Sequence, residues 1–202
     1  MRDDTREQLL AAAKQQFAEK GFYGTSIAQV AGELSLTKQA LLYHFKRKED
    51  LYAEVLRRIS DRLLRYVEGA EGRSDEPAQQ LEDIFLGLYA ASRESPMDTR
   101  LLVRELLDNQ SRAEKARDWY LLPFLAEIVE VLRRVPGFEE VELPTAFCMV
   151  YQLIGSIEYF AISDATLGKM YDSDVYERIR DDFPRELRSQ VRRLLASRPP
   201  AI

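Results

Sequence analysis

Residues 25–48 contain two short helical patterns separated by a tight break, and this arrangement constrains the fold more than any other feature of the chain. Thr25 or Ser26 can cap the first helix, and Ser26 with Gln29 matches a reciprocal capping box. The apolar residues at helical spacing on its inner face are Ile27, Val30, Ala31 and Leu34. A turn is expected over residues 33–36. The segment therefore predicts a helix-turn-helix unit.

The second helix of this unit combines an apolar inner face with a polar and basic outer face. Thr37 is expected to cap it, and the residues expected to face inward are Ala40, Leu41 and Phe45. The outer face carries hydrogen-bonding and phosphate-binding side chains, namely Thr37, Lys38, Gln39, Tyr43 and His44. Residues 35–47 include no acidic side chain, although the chain has a net charge of −5. A basic helix in an acidic chain predicts a recognition helix that enters the major groove of DNA.

The segment and its flanks resemble the N-terminal DNA-binding domain of the TetR family of bacterial repressors. The resemblance covers about the first quarter of the chain, and its motifs are Gly24-Thr-Ser-Ile, Thr37-Lys38, Leu41 to Phe45 and Lys48-Glu-Asp-Leu. It implies an all-helical homodimer that represses transcription and usually releases DNA when a small molecule binds a second domain. Two residues depart from the family pattern. Ser35 stands where the turn often holds glycine, and Leu42 stands where many members have a phosphate-contacting tyrosine.

This resemblance and the chemistry of the side chains give each residue of the unit an expected role on DNA. The residues expected to hold phosphates are Thr25, Tyr43, His44 and Lys48. Lys38 and Gln39 are the expected base readers, because lysine can donate to guanine and glutamine can bridge adenine. Thr37 is expected to touch a phosphate or a thymine methyl group. Ser26 and Lys46 complete the predicted DNA-contact set.

Helical periodicity continues to the end of the chain and predicts an all-α fold of about nine helices. The expected division is a three-helix DNA-binding domain over residues 1–48 and a helical ligand-binding and dimerisation domain over residues 49–202. Pro123 is expected to bend or split the seventh helix. The ninth helix is expected over about residues 174–196, with a potential break at Pro184.

Composition and charge argue against several classes of protein. The chain has one histidine and one cysteine and contains no phosphate loop, nucleophile elbow or His-rich metal spacing, so neither an enzyme nor a bound cofactor or metal is expected. Residues 1–50 carry eight Lys/Arg and seven Asp/Glu, whereas the remainder carries 21 and 27. This acidic remainder argues against a general polyanion binder.

Hydrophobicity suggests where the chain resides and how its cysteine is placed. The N-terminus is charged and lacks an apolar segment of signal-peptide length. The apolar stretch over residues 146–162 is interrupted by polar side chains and is expected to be too short to span a bilayer. A cytoplasmic location without membrane contact is therefore expected. Cys148 lies in this stretch and is expected to be a buried thiol.

The C-terminal part is rich in aromatic residues, which at helical spacing form a core or collectively line a small-molecule cavity. The candidate ligand-binding residues are Phe85, Tyr89, Arg100, Trp119, Tyr151, Gln152 and Glu158. Surface charge, internal salt bridges or dimer contacts are alternative roles for the polar members. The expected effector is a hydrophobic or aromatic small molecule of unknown identity.

Helices eight and nine are the predicted surface for homodimerisation. Gly155 and Ser156 allow close helix approach, while Val191, Leu194 and Leu195 offer an apolar stripe; alternatively, these residues pack only within one chain. The sequence thus predicts a ligand-responsive repressor that binds a palindromic double-stranded DNA operator as a homodimer. A transcriptional activator on the same fold is the alternative.

Overall fold

The computed structural model describes residues 2–108 and 120–197, and all regular structure in these ranges is helical. The helices are α1 Arg2–Gly24, α2 Ile27–Glu33, α3 Lys38–His44, α4 Lys48–Glu71, α5 Pro77–Glu94, α6 Pro96–Asp108, α7 Leu122–Arg133, α8 Leu143–Met170 and α9 Ser173–Ala196. The predicted all-α fold is confirmed. Trp119, one of the candidate ligand residues, lies outside the described residues.

The described residues form two compact units. The first contains residues up to Asp61 together with the described residues between Met97 and Tyr120, and the second contains residues 62–96 and those from Leu121 onward. We call them the head unit and the body unit. The head unit includes α1 to α3, the first part of α4 and nearly all of α6.

The head unit is built on a buried aromatic and aliphatic core. Phe17 and Leu51 are fully buried, and the Phe17 ring meets the Tyr52 ring edge-on with their centroids 4.7 Å apart. The Tyr52 hydroxyl donates to the buried carboxylate of Glu105 on α6. Arg104, also on α6, donates to the Glu19 carbonyl at 2.6 Å. Helix α6 is therefore bonded to α1 and α4 within this unit.

Three arginines surround one glutamate between α1 and α4. Glu54 accepts from Arg6 at 2.9 Å, from Arg57 at 2.7 Å and from Arg58 at 3.3 Å. Burial raises the pKa of Glu54, but the hydrogen bonds from Arg57, Arg6 and Arg58 outweigh it and lower the pKa to about 2. The carboxylate therefore stays ionised through the neutral pH range and joins the two helices.

In the body unit, α5 packs against α7, α8 and α9, and α8 also packs against α7 and α9. The fully buried residues of this core include Leu81, Ile84, Phe85, Ile128, Leu132 and Val191. Stacked rings join α8 to α9, because Phe160 and Phe183 lie with their centroids 4.0 Å apart. The buried carboxylate of Glu82 on α5 pairs with Arg188 at 2.8 Å and Arg192 at 2.6 Å on α9.

The two prolines expected to interrupt helices lie in different settings. Pro123 is in the first turn of α7, where its missing N–H costs no hydrogen bond, and α7 begins one residue before it at Leu122. Most of the segment expected to precede Pro123 in the same helix lies outside the described residues. Pro184 lies inside α9, which nevertheless continues to Ala196. The Arg180 carbonyl, four residues before Pro184, instead accepts the Tyr89 hydroxyl at 3.0 Å. Tyr89 therefore satisfies the acceptor that proline leaves unpaired, and the potential break at Pro184 is absent.

Helix α8 contains the apolar stretch over residues 146–162 and extends beyond it at both ends. Among the described helices it is the one long and apolar enough to cross a membrane by length and composition, although the expectation was that this stretch is too short and too polar. A core helix of a soluble protein can be equally long and apolar. In α8, 33% of the most apolar 18-residue segment is buried inside the chain. The remainder of that apolar surface faces outward.

Candidate nucleic-acid interface

The caps predicted for α2 and α3 are present. Ser26 Oγ accepts the Gln29 N–H at 3.2 Å, and Gln29 Oε1 accepts the Ser26 N–H at 2.9 Å, which completes the capping box. Thr37 Oγ1 accepts the Ala40 N–H at 3.2 Å and caps α3. These local bonds fix where both short helices begin, which a seven-residue helix needs because its own propensity is insufficient.

The turn between the helices keeps a left-handed residue even though serine replaces the usual glycine. Ser35 has φ 56°, and it is the single non-glycine residue with positive φ in the described part of the chain. Its N–H donates to the Gly32 carbonyl at 3.0 Å, and the Leu36 N–H donates to the Ala31 carbonyl at 2.9 Å. Serine adopts this conformation at a cost of about 1 kcal/mol relative to glycine. The turn is therefore held by its hydrogen bonds.

The predicted inner and outer faces of α3 are separated by burial. Leu41 is fully buried and Phe45 is 4% exposed, so these two residues anchor the helix. The predicted contacts that lie fully on the surface of α2, α3 and their flanks are Ser26, Thr37, Lys38, Gln39, Tyr43 and Lys46. Tyr43 is 71% exposed, and its ring meets the half-buried His44 edge-on at 5.5 Å. This face offers hydroxyl, amide and ammonium donors to a DNA groove.

Thr25 does not fit the predicted role of a phosphate contact. Its side chain is buried, and its hydroxyl lies 2.9 Å from the Gly21 carbonyl and 3.0 Å from the Gln16 carbonyl. The hydroxyl is thus used inside the head unit. The reason is the break in α1 at Gly21, which has φ 73° and leaves carbonyls there without a helical donor. Thr25 positions the start of α2.

Lys48 also bonds within the head unit, although it remains half-exposed. Its Nζ donates to the Thr25 carbonyl at 2.8 Å and lies 4.2 Å from the centre of the Phe22 ring. The second contact is a cation–π attraction. Lys48 therefore ties the start of α4 to the segment before α2, and its contact with a phosphate remains a prediction.

The candidate ligand residues do not lie on one surface. Phe85 is fully buried in the body unit, and the Tyr89 hydroxyl is bound to the Arg180 carbonyl. Tyr151 and Gln152 are exposed on α8, and Arg100 is exposed on α6 in the head unit. The set predicted as one site is therefore divided. Helical spacing could not reveal this, because it does not distinguish a residue facing the core from one facing solvent on an apolar helix.

Glu158 differs from the other candidates. It is half-buried on α8, one helical turn from Ile154 and Ile162, and it has no hydrogen-bond or ion-pair partner among the described residues. Burial raises the pKa of Glu158 to about 7. A carboxylate in such a position can accept a donor or a cation supplied from outside the chain.

The outward face of α8 carries a stripe of apolar residues, namely Phe147, Cys148, Tyr151, Gly155, Tyr159 and Ile162, which we call the α8 stripe. Cys148 is exposed, contrary to the expected buried thiol, because the apolar stretch in which it lies covers more of α8 than one chain buries. The Phe147 and Tyr151 rings stack at 5.1 Å. Val191 of the predicted dimer stripe is fully buried within the body unit.

Comparison with known proteins connects these features to a family. The family model for bacterial regulatory proteins, tetR family, matches residues 9–55. The HTH-type transcriptional regulator RutR of Escherichia coli K12 is 34% identical over 103 residues, which is 50% of this chain and 48% of RutR. The HTH-type transcriptional activator FasR of Mycolicibacterium smegmatis is 34% identical over 80 residues, which is 40% of this chain and 36% of FasR. The chain thus matches about half or less of these relatives' lengths.

The fold matches over nearly the whole chain. A crystal structure of a TetR-like transcriptional regulator from Rhodococcus sp. RHA1 aligns with a TM-score of 0.65 and 22% sequence identity. The alignment covers 95% of this chain and 96% of that protein. At this identity the match shows a shared fold.

Proposed function

The chain belongs to the TetR family of bacterial regulatory proteins, and on this premise we propose that it is a transcriptional regulator that binds a near-palindromic DNA operator as a homodimer. The observation that carries the proposal is the geometry of α3. Its inner residues Leu41 and Phe45 are buried, and its outer residues Lys38, Gln39 and Tyr43 are exposed. A rigid helix that presents lysine, glutamine and tyrosine together matches the donors used in major-groove recognition.

The α8 stripe supports the homodimer. One head covers little DNA, so specific binding at physiological salt needs two heads on successive turns of the groove. The stripe provides an apolar helical surface for a second copy, and Gly155 has open space around its Cβ position, which permits close helix approach. We therefore assign dimerisation to this stripe and to the half-buried Leu194 and Leu195 of α9.

Repression is the proposed sign of regulation, through a dimer that covers the operator and blocks transcription. Activation is the alternative, and the activator FasR among the relatives is the observation that favours it. The position of the operator relative to the promoter decides between them. A cytoplasmic location follows from action on chromosomal DNA.

An effector is proposed to bind the body unit next to Glu158. The carboxylate has no hydrogen-bond or ion-pair partner among the described residues, and it is flanked along α8 by Ile154 and Ile162, which suits a hydrophobic or aromatic compound that carries a hydrogen-bond donor or a positive charge. Binding there is proposed to change the separation of the two heads. Coupling of this kind typically amounts to about 1–3 kcal/mol, or roughly 5- to 150-fold in DNA affinity.

The test is selection of genomic DNA fragments with the purified protein at near-physiological salt. We expect a few short near-palindromes, and we expect the Gln39→Ala variant to lose preference at one base position in each half-site. Lys169→Ala, which alters an exposed lysine at the end of α8, is the control and should recover the same sequences. Recovery of no enriched fragment by the wild-type protein would contradict the proposal.

Sedimentation measurements on the same protein test the dimer. We expect a dimer at micromolar concentration, and we expect Tyr159→Asp, which places a charge on the most exposed aromatic residue of the stripe, to shift it toward monomer. Glu177→Asp, an exposed acidic position on α9, is the control and should remain a dimer. A wild-type monomer that binds one operator half-site would contradict this assignment.

A further inference from the structure

The break in α1 at Gly21 turns the next side chains into new directions. Gly21 has φ 73° and ψ 175°, an extended left-handed combination that is open to glycine, so Phe22 and Tyr23 no longer follow the spiral of α1. Phe22 turns inward, and its ring meets the Tyr52 ring at 5.1 Å. Tyr23 turns outward and is 73% exposed. The predicted DNA-contact set does not include Tyr23.

The position of Tyr23 is fixed by the contacts of Phe22. The Tyr23 ring lies edge-on to the Phe22 ring with their centroids 5.4 Å apart. The Lys48 ammonium lies 4.2 Å from the centre of the same Phe22 ring and bonds to the Thr25 carbonyl. Phe22 therefore joins Tyr23 to Lys48 and to the residue just before the cap of α2. Tyr23 lies in the same cluster as predicted phosphate-contact residues.

The chemistry of Tyr23 suits a phosphate. Its hydroxyl has no hydrogen-bond partner in the part of the chain that the structure describes, so its proton is available to an outside acceptor. A tyrosine hydroxyl donates without carrying charge, and the contact with Phe22 limits the freedom that the ring would lose on binding. Phosphate oxygens receive about half to two-thirds of the hydrogen bonds that proteins make to DNA.

We propose that Tyr23 donates a hydrogen bond to a DNA backbone phosphate beside each half-site, as a positioning contact outside the helix-turn-helix. The inference rests on the proposed function. It supplies a phosphate donor at the end of α1, in a chain where Leu42 of α3 replaces a tyrosine that many members of the family use on a phosphate. The contact would fix the register of α3 in the groove without reading a base.

The experiment compares wild-type protein with Tyr23→Phe on an operator fragment recovered by selection. Phenylalanine keeps the ring on Phe22 and removes the hydroxyl alone. We expect operator affinity to fall about tenfold, with an unchanged thermal midpoint and an unchanged dependence of affinity on salt, because the lost group carries no charge. Tyr171→Phe, which removes an exposed hydroxyl from the body unit, is the control and should bind like wild type.

Ethylation interference identifies the phosphate. We expect one phosphate in each half-site whose ethylation weakens wild-type binding but has little further effect on Tyr23→Phe. Equal affinities for wild type and Tyr23→Phe, or identical ethylation patterns, would overturn the inference while leaving the proposed function intact. Failure of wild type to bind any selected fragment would overturn both.

Discussion

Glu54 in the head unit and Glu158 in the body unit are two partly buried carboxylates on long helices, yet their surroundings are opposite. Glu54 receives hydrogen bonds from three arginines, and its pKa is lowered to about 2. Glu158 has no partner among the described residues, and burial raises its pKa to about 7. Burial raises the pKa of both carboxylates, and the hydrogen bonds from three arginines reverse the direction at Glu54.

The difference corresponds to the roles proposed for the two units. A head that positions α3 in a groove benefits from helices fixed by ion pairs. An effector site benefits from a polar group whose bonding capacity is unused until the ligand arrives. Glu82 shows that the body unit is not generally deprived of cations, because its carboxylate pairs with Arg188 and Arg192. The lack of a cation beside Glu158 among the described residues is therefore specific to its position on α8.

The largest effect is expected from Glu54→Ala. Loss of the carboxylate removes the acceptor that Arg6, Arg57 and Arg58 share, and we expect the free energy of unfolding at pH 7 to fall by about 3 kcal/mol. Asp61→Ala removes an exposed partner of Arg57 and should cost about 0.5 kcal/mol or less. Urea denaturation of both variants gives the comparison, and equal losses would contradict the account.

The pH dependence of this effect has a defined sign. The folded-state pKa of Glu54 lies below its ordinary value of 4.5, so the stabilisation is present above about pH 4.5 and is lost as the pH falls toward 2. The difference between wild type and Glu54→Gln should therefore shrink across this window. A difference that is constant with pH would show that Glu54 contributes through packing.

Glu158→Gln should raise the free energy of unfolding, whereas the changes at Glu54 lower it. The folded-state pKa of Glu158 is raised, so the neutral carboxyl is tolerated at low pH and the penalty for ionisation grows as the pH rises from about 4.5 to 7. We expect the variant to be about 2 kcal/mol more stable than wild type at pH 8 and equal to it at pH 4.5. Chemical denaturation at both pH values measures this. A loss of stability at pH 8 would mean that the carboxylate has a bonded partner in solution.

A smaller effect is expected at the polar contact that compensates Pro184. Tyr89→Phe removes the donor to the Arg180 carbonyl and should cost about 1 kcal/mol. In a Pro184→Ala background the restored N–H can donate to the same carbonyl, so the cost of Tyr89→Phe should fall. A double-mutant cycle measures this coupling, and additive effects would contradict it.

Local sequence signals predicted the head unit well. The capping box at Ser26, the cap at Thr37 and the buried positions of Leu41 and Phe45 each depend on residues within one helical turn, and all are present. The continuity of α9 was harder to predict, because the compensation for Pro184 comes from Tyr89, far away in the chain. Long-range bonds of this kind leave no periodic signal.

The sequence predicted the helices of the candidate site, but it predicted the contacts of individual side chains less well. Thr25 has the residue type of a phosphate ligand, yet its hydroxyl bonds to carbonyls exposed by the break at Gly21. The exposure of Cys148 depends on which part of an apolar helix one chain can cover. Residue type indicates what a side chain can bind, whereas tertiary packing decides what is available to it.

The smallest effect is expected at Ser35, whose backbone conformation lowers the stability of the head unit independently of any charge. Ser35 has φ 56°, and Ser35→Gly should raise the free energy of unfolding by about 0.5–1 kcal/mol, because glycine adopts this conformation without the clash of a Cβ atom. Ser74→Gly is the matched control. Ser74 is not among the positive-φ residues and its hydroxyl accepts the Glu76 N–H, so glycine there should destabilise the chain.

If Ser35→Gly is stabilising and binds the operator normally, the protein tolerates the backbone strain at Ser35 without a gain in DNA binding. If it is stabilising and binds more weakly, the serine side chain contributes to DNA binding, and the head unit then gives up stability for binding, as we propose for Glu158 in the body unit.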